Sequence, residues 1–266
     1  MSNQTPVGRY FDVQGGRLYA HVREGEGTTL VFMHYYGGSH RTWRPVVERL
    51  DPSQPFVSHD HRGWGLSTAI AGPYDMKQLA DDTQRVIEDL ACTSYVLVGH
   101  SMGGKVAQLV ASRRPGGLEG IVLVGPATPG PVGITPDSQE AAKHVYDSVG
   151  AVEQAIDGFL ANRRLSDELR SQICEDSTRP TEEVRWAWPL HGAVEDISAG
   201  LDAIEVPALV LAGSHDKVSP PETLREHLLP RIPEADFVEL EGIGHLSPLE
   251  APEEVAAHIS EFIETL

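Results

Sequence analysis

Short, nearly continuous apolar runs recur along this chain and alternate with longer segments of helical periodicity. Strands that are buried on both faces of a parallel sheet have this pattern, because helices cover both faces of such a sheet. The runs predict seven strands, at residues 17–23, 29–34, 56–59, 95–99, 120–125, 208–213 and 237–240. Alternation of strands and helices requires crossover connections, so we expect an α/β fold with a mostly parallel sheet flanked by helices.

Helix boundaries are predicted from capping residues and apolar faces. One helix should begin after Asp75, and the last helix should bury the face that carries Val255 and Ile259. The pairs Ser219/Glu222 and Ser247/Glu250 have the spacing of a capping box, in which each side chain binds a free amide at a helix start.

The alternation breaks once, between residues 127 and 201, where no strand is evident and the pattern is helical. We therefore predict a core formed by residues 1–126 and 202–266, with residues 127–201 inserted as a helical cap. The insertion holds 13 acidic and 6 basic residues. Loops at the carboxyl ends of parallel strands border the usual binding crevice, so the cap is predicted to act as a lid, the alternative being additional covering helices.

Composition limits the classes of protein to which the chain can belong. A net charge of −18 repels phosphate backbones and anionic lipid, so neither nucleic acid nor a membrane is an expected partner. Two cysteines cannot form a disulfide framework, and the first residues lack the apolar stretch of a signal peptide. We expect a cytoplasmic protein with a small-molecule substrate; the sequence does not indicate its oligomeric state.

A candidate nucleophile lies in the sequence GHSMG at residues 99–103, which follows the strand predicted at 95–99 and precedes a helix. The pattern G-x-S-x-G in this context is typical of a nucleophile elbow, a tight turn that exposes the serine above the sheet. Ser101 would need a base to accept its proton and an acid to orient that base. His245 and Asp216 follow the last two predicted strands, and the order Ser101, Asp216, His245 suits this fold.

Attack on a carbonyl also requires donors for the developing oxyanion. The backbone amide of Met102, directly after the serine, is one candidate. The second is the amide of Tyr36, in the Gly-containing loop that follows the strand predicted at 29–34.

With these motifs, the chain resembles the α/β-hydrolase superfamily in its serine-nucleophile branch, which includes esterases, lactonases and cofactor-free haloperoxidases. The resemblance rests on GHSMGG (99–104), DHRGWGLS (60–67), SHD ending at Asp216 and GIGH ending at His245. It implies an eight-stranded sheet, a helical cap after the sixth strand, and a Ser–His–Asp triad without metal or cofactor. Tyr35 stands where the family usually has glycine, which should alter the oxyanion loop.

Further side chains are predicted to contact substrate: Tyr35, His40, His100, Trp186, Trp188, His191 and Leu246. His34 is expected to bind backbone in the oxyanion loop, and His59 with His61 is assigned to the family's structural turn rather than to a metal site.

The sequence thus predicts a serine hydrolase that cleaves a small neutral carboxylic ester, lactone or similar acyl compound. Hydrolysis of C–C bonds, perhydrolysis and slow-turnover ligand sensing remain alternatives, because the same triad serves all of them.

Overall fold

The computed structural model describes residues 5–266, and these form one eight-stranded sheet in the order β1-β2-β4-β3-β5-β6-β7-β8. β1 pairs antiparallel with β2, and β2 pairs antiparallel with β4, whereas every other neighbouring pair is parallel. The strands are β1 (Val7–Val13), β2 (Gly16–Arg23), β3 (Thr29–Met33), β4 (Phe56–His59), β5 (Tyr95–His100), β6 (Leu118–Val124), β7 (Ala208–Gly213) and β8 (Asp236–Leu240). The predicted mostly parallel sheet is confirmed.

All seven strands predicted from apolar runs are present, with ends that shift by at most two residues. The runs missed β1, which lies at the edge of the sheet. Only Phe11 of this strand is buried, and Val7 and Tyr10 are exposed, so β1 has no apolar run to detect.

Helices cover both faces of the sheet. They are α1 (Arg44–Val47), α2 (Met76–Asp89), α3 (Met102–Ser112), α4 (Pro136–Lys143), α5 (Val149–Ala155), α6 (Asp167–Thr178), α7 (Glu182–Ala187), α8 (Pro221–His227), α9 (Ser247–Glu250) and α10 (Pro252–Glu264). Short 3-10 turns lie at His40–Trp43, Ser198–Ala203 and Leu229–Arg231, and π turns lie at Ile156–Leu160 and Trp188–Gly192. As predicted, Asp75 caps α2, since its carboxylate accepts the amide of Gln78 at 2.8 Å.

The two predicted capping boxes are wrong, because no side chain caps either helix start. Ser247 donates to the carbonyl of Gly244 at 3.1 Å, and Glu250 accepts the amide of Gly244, also at 3.1 Å. No side chain caps α8, which begins after Pro220.

The apolar core has three parts. α2 and α3 pack on one face of the sheet, and α1 and α10 pack on the other. A third cluster joins the insertion to the loops above the sheet, and it includes Tyr35, Tyr146, Leu160 and Leu246. Within residues 125–207 the structure has helices and turns but no strand. Tyr146 and Leu160 of this interval pack in the third cluster with Tyr35 and Leu246, so the interval lies against the loops where the candidate site is found.

Candidate active site

Ser101 lies at the turn between β5 and α3, with a backbone of φ 53° and ψ −113°. The flanking glycines are required by close packing. A Cβ on Gly99 would lie 2.3 Å from the carbonyl oxygen of Gly103, and a Cβ on Gly103 would lie 2.4 Å from that of Met33. The turn therefore excludes side chains at both positions and holds Ser101 in a conformation that L residues rarely adopt.

Ser101, His245 and Asp216 form a hydrogen-bonded chain above the carboxyl ends of the strands. His245 Nε2 lies 2.9 Å from Ser101 Oγ, and His245 Nδ1 lies 2.8 Å from Asp216 Oδ2. All three are buried, with relative exposures of 6%, 2% and 3% in that order. A serine, a base and an acid at these distances have the geometry that activates a hydroxyl for attack on a carbonyl.

Asp216 is held as an ionised carboxylate. Burial raises its pKa, but His245 and the amides of Ser219 and Val218 outweigh burial and bring the pKa below its ordinary value. Those two amides donate to Asp216 Oδ1 at 2.8 and 2.7 Å, so Oδ2 is left for the imidazole. The carboxylate can thereby orient His245 and stabilise its protonated form.

His100 supports His245 from below. Its Nε2 donates to the backbone carbonyl of His245 at 2.8 Å, and the two rings lie 5.1 Å apart. Burial lowers the pKa of His100 to about 3, so it stays neutral while it holds that loop.

The loop of residues 34–39, the oxyanion loop, follows β3. His34 Nδ1 donates to the carbonyl of Tyr35 at 2.7 Å, and its Nε2 accepts the amide of His61 at 3.0 Å. The carbonyl of a trans peptide points away from its N–H, so the Tyr36 amide faces away from His34. Within residues 5–266, neither this amide nor that of Met102 has a protein acceptor, so both remain available to a ligand.

A cavity of about 450 Å³ opens onto Ser101 and His245. Its walls are mostly apolar or aromatic, and within the described chain they include no lysine, arginine or carboxylate. The lining comprises Tyr35, Tyr36, Ser101, Ala127, Thr128, Val132, Ile134, Ser138, Gln139, Ala141, Ala142, Val145, Tyr146, Phe159, Leu160, Trp188, Pro189, Ala193, Val218, Ser219, Thr223 and His245.

Two of the seven residues predicted to contact substrate line this cavity, namely Tyr35 and Trp188. The Tyr35 ring is almost wholly buried and packs 5.1 Å from the ring of His100. The side chain that replaces the family's glycine is therefore accommodated beside the cavity instead of filling it.

The other five predicted contacts do not line the cavity. His40 donates to Asp60 at 2.9 Å, and His100 lies beneath His245. The ring of Trp186 lies under the ammonium of Lys143, 4.5 Å away. His191 is exposed, and Leu246 is fully buried in the third apolar cluster.

Most of the cavity wall was not predicted from the sequence, including Ile134, Gln139, Tyr146 and Phe159 of the insertion. Nothing in their local sequence distinguishes them from other helical residues. Val218 lies two positions after Asp216, so its place at the end of the same strand could have indicated it.

The segment at residues 60–67 forms a rigid turn. Asp60 accepts the amides of His40 and Leu66 at 2.6 and 2.7 Å. Arg62 makes a buried bidentate pair with Asp82, at 2.6 and 2.7 Å. Within the described chain, no three His, Cys, Asp or Glu side chains are arranged to hold a metal ion. Likewise, between residues 5 and 266 no helix has the length and apolar character needed to cross a membrane.

Comparison with known proteins identifies the fold and the family of this chain. An esterase from Exiguobacterium antarcticum has the same fold, with a TM-score of 0.88 at 23% identity over 97% of this chain and 100% of that one. The eight-stranded sheet and its flanking helices are thus those of an α/β hydrolase. A family model described as serine aminopeptidase, S33, matches residues 27–250, and the chain belongs to this family of α/β hydrolases.

Two further relatives are more similar in sequence. A thermophilic esterase from Thermogutta terrifontis is 27% identical, with a TM-score of 0.82 over 98% of this chain and 99% of that one. The non-heme chloroperoxidase CPO-A1 of Kitasatospora aureofaciens is 25% identical, over 83% of this chain and 86% of its own.

Proposed function

We propose that this α/β hydrolase is a serine esterase or lactonase that cleaves a small, neutral acyl compound. The observation that carries the proposal is the Ser101–His245–Asp216 chain at the floor of an apolar cavity. Similarity to the Thermogutta terrifontis esterase supports it.

In the proposed mechanism, His245 takes the proton of Ser101 as the hydroxyl oxygen attacks the substrate carbonyl. Asp216 stabilises the imidazolium, and the amides of Tyr36 and Met102 bind the oxyanion. His245 then protonates the leaving alcohol, and water releases the acyl group by the same steps in reverse. These steps require no metal or cofactor.

The composition of the cavity wall favours neutral substrates over anionic ones. No cationic side chain lines the cavity within the described residues, so a substrate carboxylate would lose its hydration without gaining a partner of opposite charge. The acidic excess of the insertion further disfavours anions. Hydrolysis of C–C bonds in dienone acids is therefore less well supported than hydrolysis of esters or lactones.

The test is turnover of a chain-length series of p-nitrophenyl esters and of simple lactones by wild type and Ser101→Ala. We expect cycling turnover that falls at least about 10³-fold in the variant. A fluorophosphonate should label wild type and not the variant. Near-normal activity in Ser101→Ala would refute the proposal, and one turnover followed by stable occupancy would indicate a ligand sensor instead.

A second candidate function is perhydrolysis, which the similarity to the chloroperoxidase favours. Hydrogen peroxide would replace water in releasing the acyl group from Ser101, giving a peroxy acid. In acetate with peroxide and bromide, the peroxy acid would oxidise bromide to hypobromous acid; bromination of monochlorodimedone would detect it, and its absence would remove this candidate.

A further inference from the structure

Three consecutive carbonyl groups of the oxyanion loop accept hydrogen bonds from side chains or backbone. The Tyr35 carbonyl is bound from within the core, by His34 at 2.7 Å and by the amide of Gly38 at 3.0 Å. The next two carbonyls are bound from the insertion. Tyr146 Oη donates to the carbonyl of Tyr36 at 2.7 Å, and Ser177 Oγ donates to that of Gly37 at 2.8 Å.

Tyr146 also fills the space beside this loop. Its side chain is almost fully buried, and its ring lies 4.8 Å from the ring of Tyr36. Gly37 has a φ of +100°, and a Cβ at that residue would lie 2.5 Å from Cζ of Tyr146. The tyrosine therefore constrains the loop both by its hydroxyl and by the bulk of its ring.

These contacts act on the peptide that would bind the oxyanion. The two peptide planes that flank the Cα of Tyr36 carry the carbonyls of Tyr35 and Tyr36. His34 holds the first plane and Tyr146 holds the second. With both planes held, φ and ψ of Tyr36 are fixed, and so is the direction of its N–H.

We propose that Tyr146 of the insertion is a positioning residue that aims the Tyr36 amide at the oxyanion, with Ser177 as a second support. This inference rests on the proposed function, because it assigns a part of the same acyl-transfer site. An oxyanion donor is effective only within a few tenths of an ångström of its working position, so a loosened loop weakens transition-state binding.

The test compares Tyr146→Phe with wild type on p-nitrophenyl butyrate. The variant keeps the ring and loses the hydroxyl. We expect kcat to fall by about 10- to 100-fold with KM within about twofold, because an oxyanion contact forms mainly in the transition state. An aryl trifluoromethyl ketone, to whose carbonyl Ser101 would add to form an oxyanion, should bind more weakly by a similar factor.

Tyr74→Phe is the matched control. Tyr74 packs against the same apolar cluster, and its hydroxyl donates to the carbonyl of Ile70 at 3.0 Å, outside the site. Its kcat should equal that of wild type. Ser177→Ala should lower kcat in the same way as Tyr146→Phe and serves as the second variant if the latter does not fold.

The outcomes distinguish failure of the positioning role of Tyr146 from failure of the proposed function. If wild type turns over and Tyr146→Phe keeps its kcat and ketone affinity within twofold, the positioning role is refuted while the proposed function stands. A rise in KM alone would limit Tyr146 to its place in the cavity wall and would equally refute the positioning role. If wild type shows no Ser101-dependent turnover, the proposed function fails and the inference fails with it.

Discussion

Acidification from pH 7 to pH 5 should destabilise this protein, because four buried histidines are held neutral. His34, His59, His61 and His100 have relative exposures of 1% or less. Burial is the largest cause in each case, and it lowers the pKa of all four, to about 4 for His34 and about 3 for His100. These rings bind protons readily only when the chain unfolds.

The sign and size of the change in the free energy of unfolding follow from proton linkage. Between the folded pKa and the unfolded value of 6.5, the unfolded chain binds more protons, so the free energy of unfolding falls as pH falls. Going from pH 7 to pH 5, His34 and His100 together remove about 4 kcal/mol, at about 1.4 kcal/mol per proton and pH unit. His59 and His61 shift in the same direction and add to this loss.

Other groups with shifted pKa values act in a different pH range from the buried histidines or in the opposite direction. The pKa values of Asp60 and Asp216 lie below 3.8 despite burial, because histidine and amide partners outweigh it. Their contribution to the free energy of unfolding is lost only below about pH 5. Asp176 opposes the histidines, since burial raises its pKa. Hydrogen bonds from exposed His144 to Asp147 and Glu140 raise the pKa of His144, so this residue opposes them too.

The assay is urea unfolding followed by tryptophan fluorescence at pH 5, 6, 7 and 8 and constant ionic strength. His34→Gln keeps one donor and one acceptor and should reduce the difference between pH 7 and pH 5 by about 2 kcal/mol. His144→Gln should enlarge that difference. This role of the buried histidines is refuted if the free energy of unfolding changes by less than about 1 kcal/mol between pH 7 and pH 5, or if His34→Gln leaves the difference unchanged.

Three further predictions concern the site and its support. Asp216→Asn should lower kcat on p-nitrophenyl butyrate by about 10⁴, because the amide imposes the wrong tautomer on His245; a loss below tenfold would contradict this role. Arg62→Met should lower the free energy of unfolding by about 3–5 kcal/mol, because Asp82 would be left buried and unpaired; urea unfolding of Arg62→Met/Asp82→Leu should show much of the loss restored. Phe159→Ala should enlarge the cavity and move the p-nitrophenyl ester optimum to longer acyl chains, and an unchanged optimum would place Phe159 outside the substrate's path.

The parts of this structure that could be predicted from sequence are those with local signals. A glycine-flanked serine after an apolar run predicts a strand, a tight turn and a helix, because each of the three steps depends on neighbouring residues. Parallel strands end at one edge of a sheet, so Asp216 and His245 after two later strands could be expected beside Ser101. The hydrogen bonds observed among them follow from that topology.

The cavity wall could not be predicted in the same way. Trp186 and Trp188 are two positions apart in one helical segment, yet only Trp188 lines the cavity. Which of the two faces inward depends on the π turn that begins at Trp188 and on how the insertion packs on the core. The wrong capping box at Ser247/Glu250 has the same origin, since Glu250 binds the amides of Asn162 in the insertion and of Gly244 instead of its own helix start.

Two more polar side chains connect the insertion to the elements that carry the candidate site. Lys105 of α3 is fully buried, and its ammonium donates to carbonyl oxygens of the insertion at residues 192, 193 and 195, at 3.0, 3.4 and 2.5 Å. Glu250 accepts the amide of Asn162 at 2.8 Å and that of Gly244, next to His245, at 3.1 Å.

With Tyr146, these contacts join the insertion to α3, to the loop that holds Gly244 and His245, and to the oxyanion loop. A lid that swung open as one body would break all three contacts at once, and it would leave the buried ammonium of Lys105 without its carbonyl partners at a cost on the order of several kcal/mol. We therefore expect so large an opening to be rare and a substrate to enter past local side-chain movements. Mutations in the insertion should then change kcat as well as substrate preference, because the wall that selects the substrate also supports the groups that act on it.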